Sequence, residues 1–216
     1  MDLEFFWGRD SGYAYSDSDR RKYALVHEVV KGTAALFEKY DICATWATVG
    51  IAAADSLEEL ELFSPVERVS EGYPYANNYR RYNEIWESGK YGDWLQLGGL
   101  MHLLKHTKGQ EIGSHTFAHI FCNEQGVSVS SIMEDIHASK RIFKEKFGID
   151  VRSLVFPYNQ IPKLEFLDLD IDFIRTDNPS SIYKNFKIST YRTPLKRILR
   201  WLDRFINITG LSLIHI

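Results

Sequence analysis

Cysteine is scarce in this 216-residue chain: there are two, Cys43 and Cys122, and they fit neither a disulfide framework nor a thiolate zinc spacing. Cys43 lies in an apolar run and reads as core. Cys122 closely follows a pair of histidines and could line a pocket, but nothing supplies it with a base, so it reads as structural. An excess of one charge is also lacking. With 26 basic and 29 acidic side chains the formal charge is -3, which gives no general attraction to nucleic acid or anionic membrane. The short basic runs Arg20-Arg21-Lys22 and Lys196-Arg197 read as solvated helix faces. No apolar stretch reaches the ~18 residues of a membrane-spanning helix, and no secretory leader pattern is present, so the expected location is the cytoplasm. There is no internal repeat and no low-complexity tract. What is present is ordinary globular composition, 44% hydrophobic and 25% charged, in a length that suits one domain with a substantial core.

Strand and helix signals alternate, which points to an α/β domain with mostly parallel strands. Residues 1–6 look like the tail of a buried strand. Residues 22–39 carry Leu25, Val29, Leu36 and Phe37 at helical rhythm. Ile42 to Val49 reads as a strand buried on both faces, closed by Gly50. Residues 51–92 form a long segment dense in aromatics and turn formers, suited either to contact with a sugar or to a packed irregular insertion. Trp94 through Leu104 is expected as an amphipathic helix despite Gly98-Gly99. Glu111-Ile112-Gly113 reads as a short strand, and Ser128 through Phe147 as a long helix capped by a serine and stopped by Gly148. A strand from Ser153 to Phe156 ends at Pro157. A short helix over 162–169, a strand from Asp172 to Arg175 and a helix from Pro194 to Ile206 follow.

The richest stretch is Glu111-Ile112-Gly113-Ser114-His115-Thr116-Phe117-Ala118-His119. If the small-residue step opens a helical turn, His115 and His119 share a face and can share a divalent metal. A third ligand should be a carboxylate at the end of another strand, and Asp2-Leu3-Glu4 offers two. Side chains two apart on a strand point the same way, so both can enter one pocket. One carboxylate would join the histidines on the metal and the other would be free for proton transfer.

Four segments together resemble the polysaccharide deacetylases that share the NodB homology domain, within the carbohydrate esterase family 4 group. They are Asp2-Leu3-Glu4-Phe5-Phe6-Trp7-Gly8, Ala44-Thr45-Trp46-Ala47-Thr48-Val49-Gly50, Gly109 to His119, and Val155-Phe156-Pro157-Tyr158-Asn159-Gln160. The resemblance implies a distorted (β/α)7 barrel that hydrolyses acetyl groups on sugars with a divalent metal, zinc or another such as cobalt. It assigns Asp2 as the general base and Glu4, His115 and His119 as metal ligands, with Trp7, Pro157, Tyr158 and Asn159 as candidate substrate-contacting or supporting residues. The implied partner is an acetylated carbohydrate or polysaccharide. Related barrels hydrolyse small cyclic amides or ureides, as allantoinase does, and a barrel that kept sugar binding without chemistry is the remaining alternative.

The chain departs from the family pattern twice. The arginine that orients the base in many members has no counterpart near Pro157-Tyr158-Asn159, and a tyrosine cannot make a bidentate ion pair with a carboxylate. The family's catalytic acid, a histidine close to the C-terminal end, has only His215 as a positional match. That histidine lies in Leu211-Ser212-Leu213-Ile214-His215-Ile216, the translation of the transposon-end adapter sequence CTGTCTCTTATACACATC. Residues 1–210 therefore read as a single deacetylase domain truncated at both ends, and 211–216 as a non-native tail.

Overall fold

The computed structural model describes residues 1–9, 16–75, 77–92, 94–163, 169–175 and 193–206. Five strands, β1 (Asp2–Leu3), β2 (Ala44–Thr48), β3 (Gln110–Ser114), β4 (Ser153–Val155) and β5 (Phe173–Arg175), form one sheet. Their order is sequential and every pairing is parallel. Parallel neighbours need a crossover between them, and a sequential order keeps each crossover turning the same way, so the sheet curls into a half-barrel flanked by helices. The register pairs Leu3 with Thr48, Thr48 with Ser114, Ser114 with Leu154, and Val155 with Arg175. The carboxyl ends of all five strands thus meet along one edge, and the chemistry-bearing residues follow those ends.

The described helices are α1 (Asp17–Ala24), α2 (Val26–Lys39), α3 (Leu57–Phe63), α4 (Asn78–Glu87), α5 (Leu100–His106), α6 (Val129–Phe147) and α7 (Pro194–Ile206). The boundaries of α6 follow from its caps. Ser128 accepts from the Ser131 amide while Ser131 reaches back to the Ser128 amide, and Gly148 closes the other end at φ 63°. Ile132, Ile136, Ile142 and Phe143 of α6 are buried.

Several sequence expectations are corrected. The N-terminal strand is two residues long and turns at once into a 3-10 helix over Phe5–Gly8. Helical rhythm over 22–39 is real but split at Leu25, and the core-facing side is Val30 and Ala34. Leu25, Val29 and Leu36 lie on the exposed face instead. Cys43 is exposed, not core, because the apolar run begins before the sheet does; only Trp46 to Thr48 of β2 are buried. The helix expected from Trp94 starts at Leu100, after a turn in which Gly98 takes φ 46°. Residues 51–92 are not an irregular loop. They hold α3, α4 and an aromatic cluster in which Tyr82 packs against Trp7, Trp86 and Tyr91. The short helix expected over 162–169 falls largely outside the described residues, as does the 211–216 tail.

Gly50 joins the sheet edge to the histidine loop. Its amide donates to the Thr116 carbonyl at 3.0 Å and the next amide, Ile51, to the Phe117 carbonyl at 2.8 Å. A Cβ at position 50 would lie 2.6 Å from the Phe117 ring and 3.1 Å from its Cα, so Gly50→Ala forces the two segments apart. The expected cost is about 1–3 kcal/mol of unfolding free energy, the scale of overpacking, measured by urea titration. An unchanged midpoint would mean that the Phe117 ring moves aside freely.

Candidate metal centre

His115 leaves the end of β3 and is buried. Its Nδ1 lies 2.7 Å from the Val155 carbonyl oxygen at the end of β4. A carbonyl can only accept, so Nδ1 carries the proton and Nε2 of the neutral ring presents its lone pair. That lone pair faces the Glu4 carboxylate, with Nε2 and Oε2 3.4 Å apart. The Nε2 of His119 is 2.9 Å from the same oxygen. The donor atoms of Glu4, His115 and His119 all lie within 4.8 Å of one another. A bare imidazole lone pair and a carboxylate oxygen repel unless positive charge lies between them. Two imidazoles and one carboxylate are a donor set that suits a divalent cation, and the carbonyl behind His115 is the support that metal-bound histidines ordinarily have.

Electrostatics agree with this assignment. Burial pushes the Glu4 carboxyl up, but the two imidazoles that face it outweigh burial and hold the group well below its ordinary range. Burial lowers the His119 pKa against the pull of Glu4, which keeps the ring neutral and its lone pair available at neutral pH.

The geometry is not that of a helical turn. Residues 115–119 form an irregular loop in which Thr116 (φ 63°) and His119 (φ 54°) are left-handed. Among the described residues six non-glycines have positive φ, and all but Asp41 adjoin the centre: Phe5, Thr116, His119, Tyr158 and Asn159. Such conformations are costly, most of all for a β-branched residue, and persist where surrounding contacts over-determine them. Glu4 has likewise left the strand, with φ -119° and ψ -8°.

Asp2 stands at the same sheet edge and bonds to neither histidine. Its two oxygens accept from Arg175 Nη1 at 2.7 Å and Nη2 at 3.0 Å, a bidentate pair. Arg175 also donates to Asn159 Oδ1 at 3.2 Å. Burial raises the Asp2 pKa, but the Arg175 hydrogen bonds and the Arg175 charge bring the balance below the ordinary value. Arg175 supplies the guanidinium that the sequence lacked near Pro157. It was within reach of a sequence reading only as a cation at the C-terminal end of the predicted strand Asp172 to Arg175, the end where barrels place chemistry.

The other candidates separate. Tyr158 and Asn159 are half-buried at the site, Tyr158 with its ring 4.9 Å from that of Phe121, which in turn lies 5.4 Å from the ring of His119. Pro157 is buried and begins the 3-10 turn that carries them. Trp7 cannot touch a substrate: it is fully buried, its indole donates to the Leu95 carbonyl and its ring stacks on Tyr82. Its backbone amide, bonded to the Glu4 carbonyl at 3.0 Å, instead steadies the turn that carries Glu4. Cys122 is buried, with its thiol pushed well above its ordinary pKa by burial, and is structural. His215 lies outside the described residues. A separate surface hollow beside α6 is lined by Lys140, Lys144 and Arg152, each already facing an aspartate, Asp170, Asp150 or Asp172.

Comparison with known proteins finds a match to the polysaccharide deacetylase family over residues 12–166. This range holds His115 and His119 but neither Asp2, Glu4 nor Arg175. No curated protein sequence matches. Among solved structures, a carbohydrate esterase family 4 pseudoenzyme from Bacillus anthracis has 15% identity and TM-score 0.38 over 69% of this chain and 38% of its own. The peptidoglycan deacetylase PdaC of Bacillus subtilis has 16% identity and TM-score 0.39 over 80% and 62%. The deacetylase PplD of Streptococcus pyogenes has 15% identity and TM-score 0.38 over 62% and 43%. The chain thus spans less than two thirds of each of these proteins, and at these TM-scores the family match alone carries weight.

Replacing Arg175 by Gln removes the ion pair and leaves burial as the dominant influence on Asp2, so the Asp2 pKa should rise. Carboxylate carbon NMR titration reads this directly and does not depend on activity. An Asp2 pKa that stays in place would show that Arg175 does not govern its charge.

Proposed function

The chain belongs to the polysaccharide deacetylase family, and on that premise we propose that it is a metal-dependent hydrolase removing acetyl groups from acetylated sugars or polysaccharide. The observation that carries the reading is the convergence of His115, His119 and Glu4 on one point. Asp2 is held apart from them at the same edge by Arg175. In this reading the three converging side chains hold zinc, or another borderline cation such as cobalt, that two imidazoles and a carboxylate favour. When bound, such a cation supplies Lewis acidity to an acyl oxygen and lowers the pKa of water.

The protein's own part is positional and protonic. The Val155 carbonyl fixes the tautomer of His115. Arg175 orients Asp2 and keeps it ionised, so that an Asp2 oxygen can accept the proton of the attacking water, the work of a general base. Tyr158 and Asn159, half-buried beside the centre, suit contact with the sugar. A barrel that lost its chemistry would have no use for a charged base oriented bidentately, as Asp2 is by Arg175. The sequential parallel strand order also favours completion of the curled sheet as a distorted (β/α)7 barrel, in contrast to the reversed order of doubly wound sheets.

The tests are metal content and acetate release from chitin oligomers. The purified protein should carry close to one equivalent of zinc, and His115→Ala and His119→Ala should each lose most of it. Undiminished zinc in both variants would remove the assignment. Asp2→Asn should retain the metal while the rate falls by at least about 10²-fold, the scale of a lost general base. Loss of metal in Asp2→Asn would instead make Asp2 a ligand and exchange its role with that of Glu4.

A further inference from the structure

The loop between the two histidines is gripped from behind. Asp135, on α6, is 1% exposed. Its Oδ1 accepts from the Phe117 amide at 2.6 Å and the Ala118 amide at 3.3 Å. Its Oδ2 accepts from the Ala118 amide at 3.2 Å and the Tyr79 hydroxyl at 2.7 Å. The Thr116 side chain adds a further hydrogen bond. Among the described residues no lysine, arginine or histidine pairs with it, so its charge is balanced by these donors alone.

A buried carboxylate without such partners is strongly disfavoured. Burial pushes the Asp135 pKa up to about 6, with the donors opposing the rise, and the group is ionised at neutral pH. The two backbone amides can only donate, so the loop is shaped around the anion. Thr116 and His119, the two left-handed residues, stand on either side of the gripped amides. Released from Asp135, Phe117 and Ala118 would lose their partners, and the loop would relax toward ordinary φ values that turn the imidazoles apart.

We propose that Asp135 is the positioning residue of the metal centre: by holding the amides of Phe117 and Ala118 it keeps the loop in the one conformation that aims His115 and His119 at a single cation. The inference rests on the metal-binding reading above and extends it to a residue that touches neither the metal ligands' side chains nor a substrate. Tyr79 from α4 assists by donating to the same carboxylate, and its ring stacks on that of Phe117 at 6.0 Å.

The test is cobalt(II) titration of the 216-residue chain, with affinity and the visible ligand-field spectrum as readouts, beside the thermal midpoint of the metal-free protein. Asp135→Asn keeps the volume but turns an amide toward the donors. It should weaken cobalt binding by about 10–100-fold, the range for groups that orient metal ligands, and alter the spectrum. Ile136→Ala, a core change on the same helix, should lower the midpoint while keeping the wild-type affinity and spectrum. Wild-type affinity and spectrum in Asp135→Asn would overturn the inference, as would parallel loss of affinity and midpoint in both variants. If Asp135→Asn does not fold, Tyr79→Phe decides. Removing that one donor should weaken cobalt several-fold, the scale of a single hydrogen bond, and unaltered binding overturns the proposal. A wild-type protein that takes up no cobalt at all would sink the metal reading itself and this inference with it, whereas wild-type binding with an indifferent Asp135→Asn sinks only the inference.

Discussion

The Val155 carbonyl oxygen decides what His115 can be. By accepting from Nδ1 at 2.7 Å, it forces the ring to present an unprotonated Nε2 toward Glu4, and two electron-rich atoms then face each other inside a largely buried pocket. That arrangement is unfavourable by itself and favourable around a cation. The parallel register of β3 and β4 gives it rigidity, because Ser114 pairs with Leu154 and so places the residues after them side by side. The candidate metal centre is therefore a property of how two strands end.

From that contact the remaining features follow in layers. The sheet edge supplies position, since Glu4, His115, Val155 and Arg175 all lie at or just past strand ends. The loops supply aim, through left-handed residues that no isolated peptide would adopt readily. The buried carboxylate of α6 and the close approach at Gly50 supply restraint. Asp2 is treated differently from Glu4 although the two are near neighbours in sequence: one is clamped by a guanidinium, the other by imidazoles. Different partners give two carboxylates of one short segment different electrostatic surroundings.

The histidine pair and the carboxylate were legible in the sequence because residue type and spacing alone suggest them. The reason offered for their convergence was not correct, since the loop is not helical and Glu4 is not in the strand; left-handed φ values leave no signature in a Thr or a His. Arg175 could not be assigned because its partner, Asp2, is 173 positions away and only the accumulated register of five strands brings them together. Hydrophobic rhythm located α2 and α6 well, yet it misassigned the buried side of α2, where Val30 and Ala34 face inward while Leu25, Val29 and Leu36 do not. Trp7 looked like a site residue from its neighbourhood in the motif. Its size makes it a core residue, and only its backbone serves the site.

The ligand set also has a topological meaning. Glu4 and His119 are separated by 115 positions, and Glu4 belongs to a segment whose strand makes only two register pairs with its neighbour. A cation held by both would act as a reversible cross-link closing about half of the chain into one loop, reducing the freedom of the unfolded state as a disulfide does. The N-terminal segment, short in ladder bonds, would then be fastened by its own chemistry, so that loading the centre and locking down the first strand become a single event.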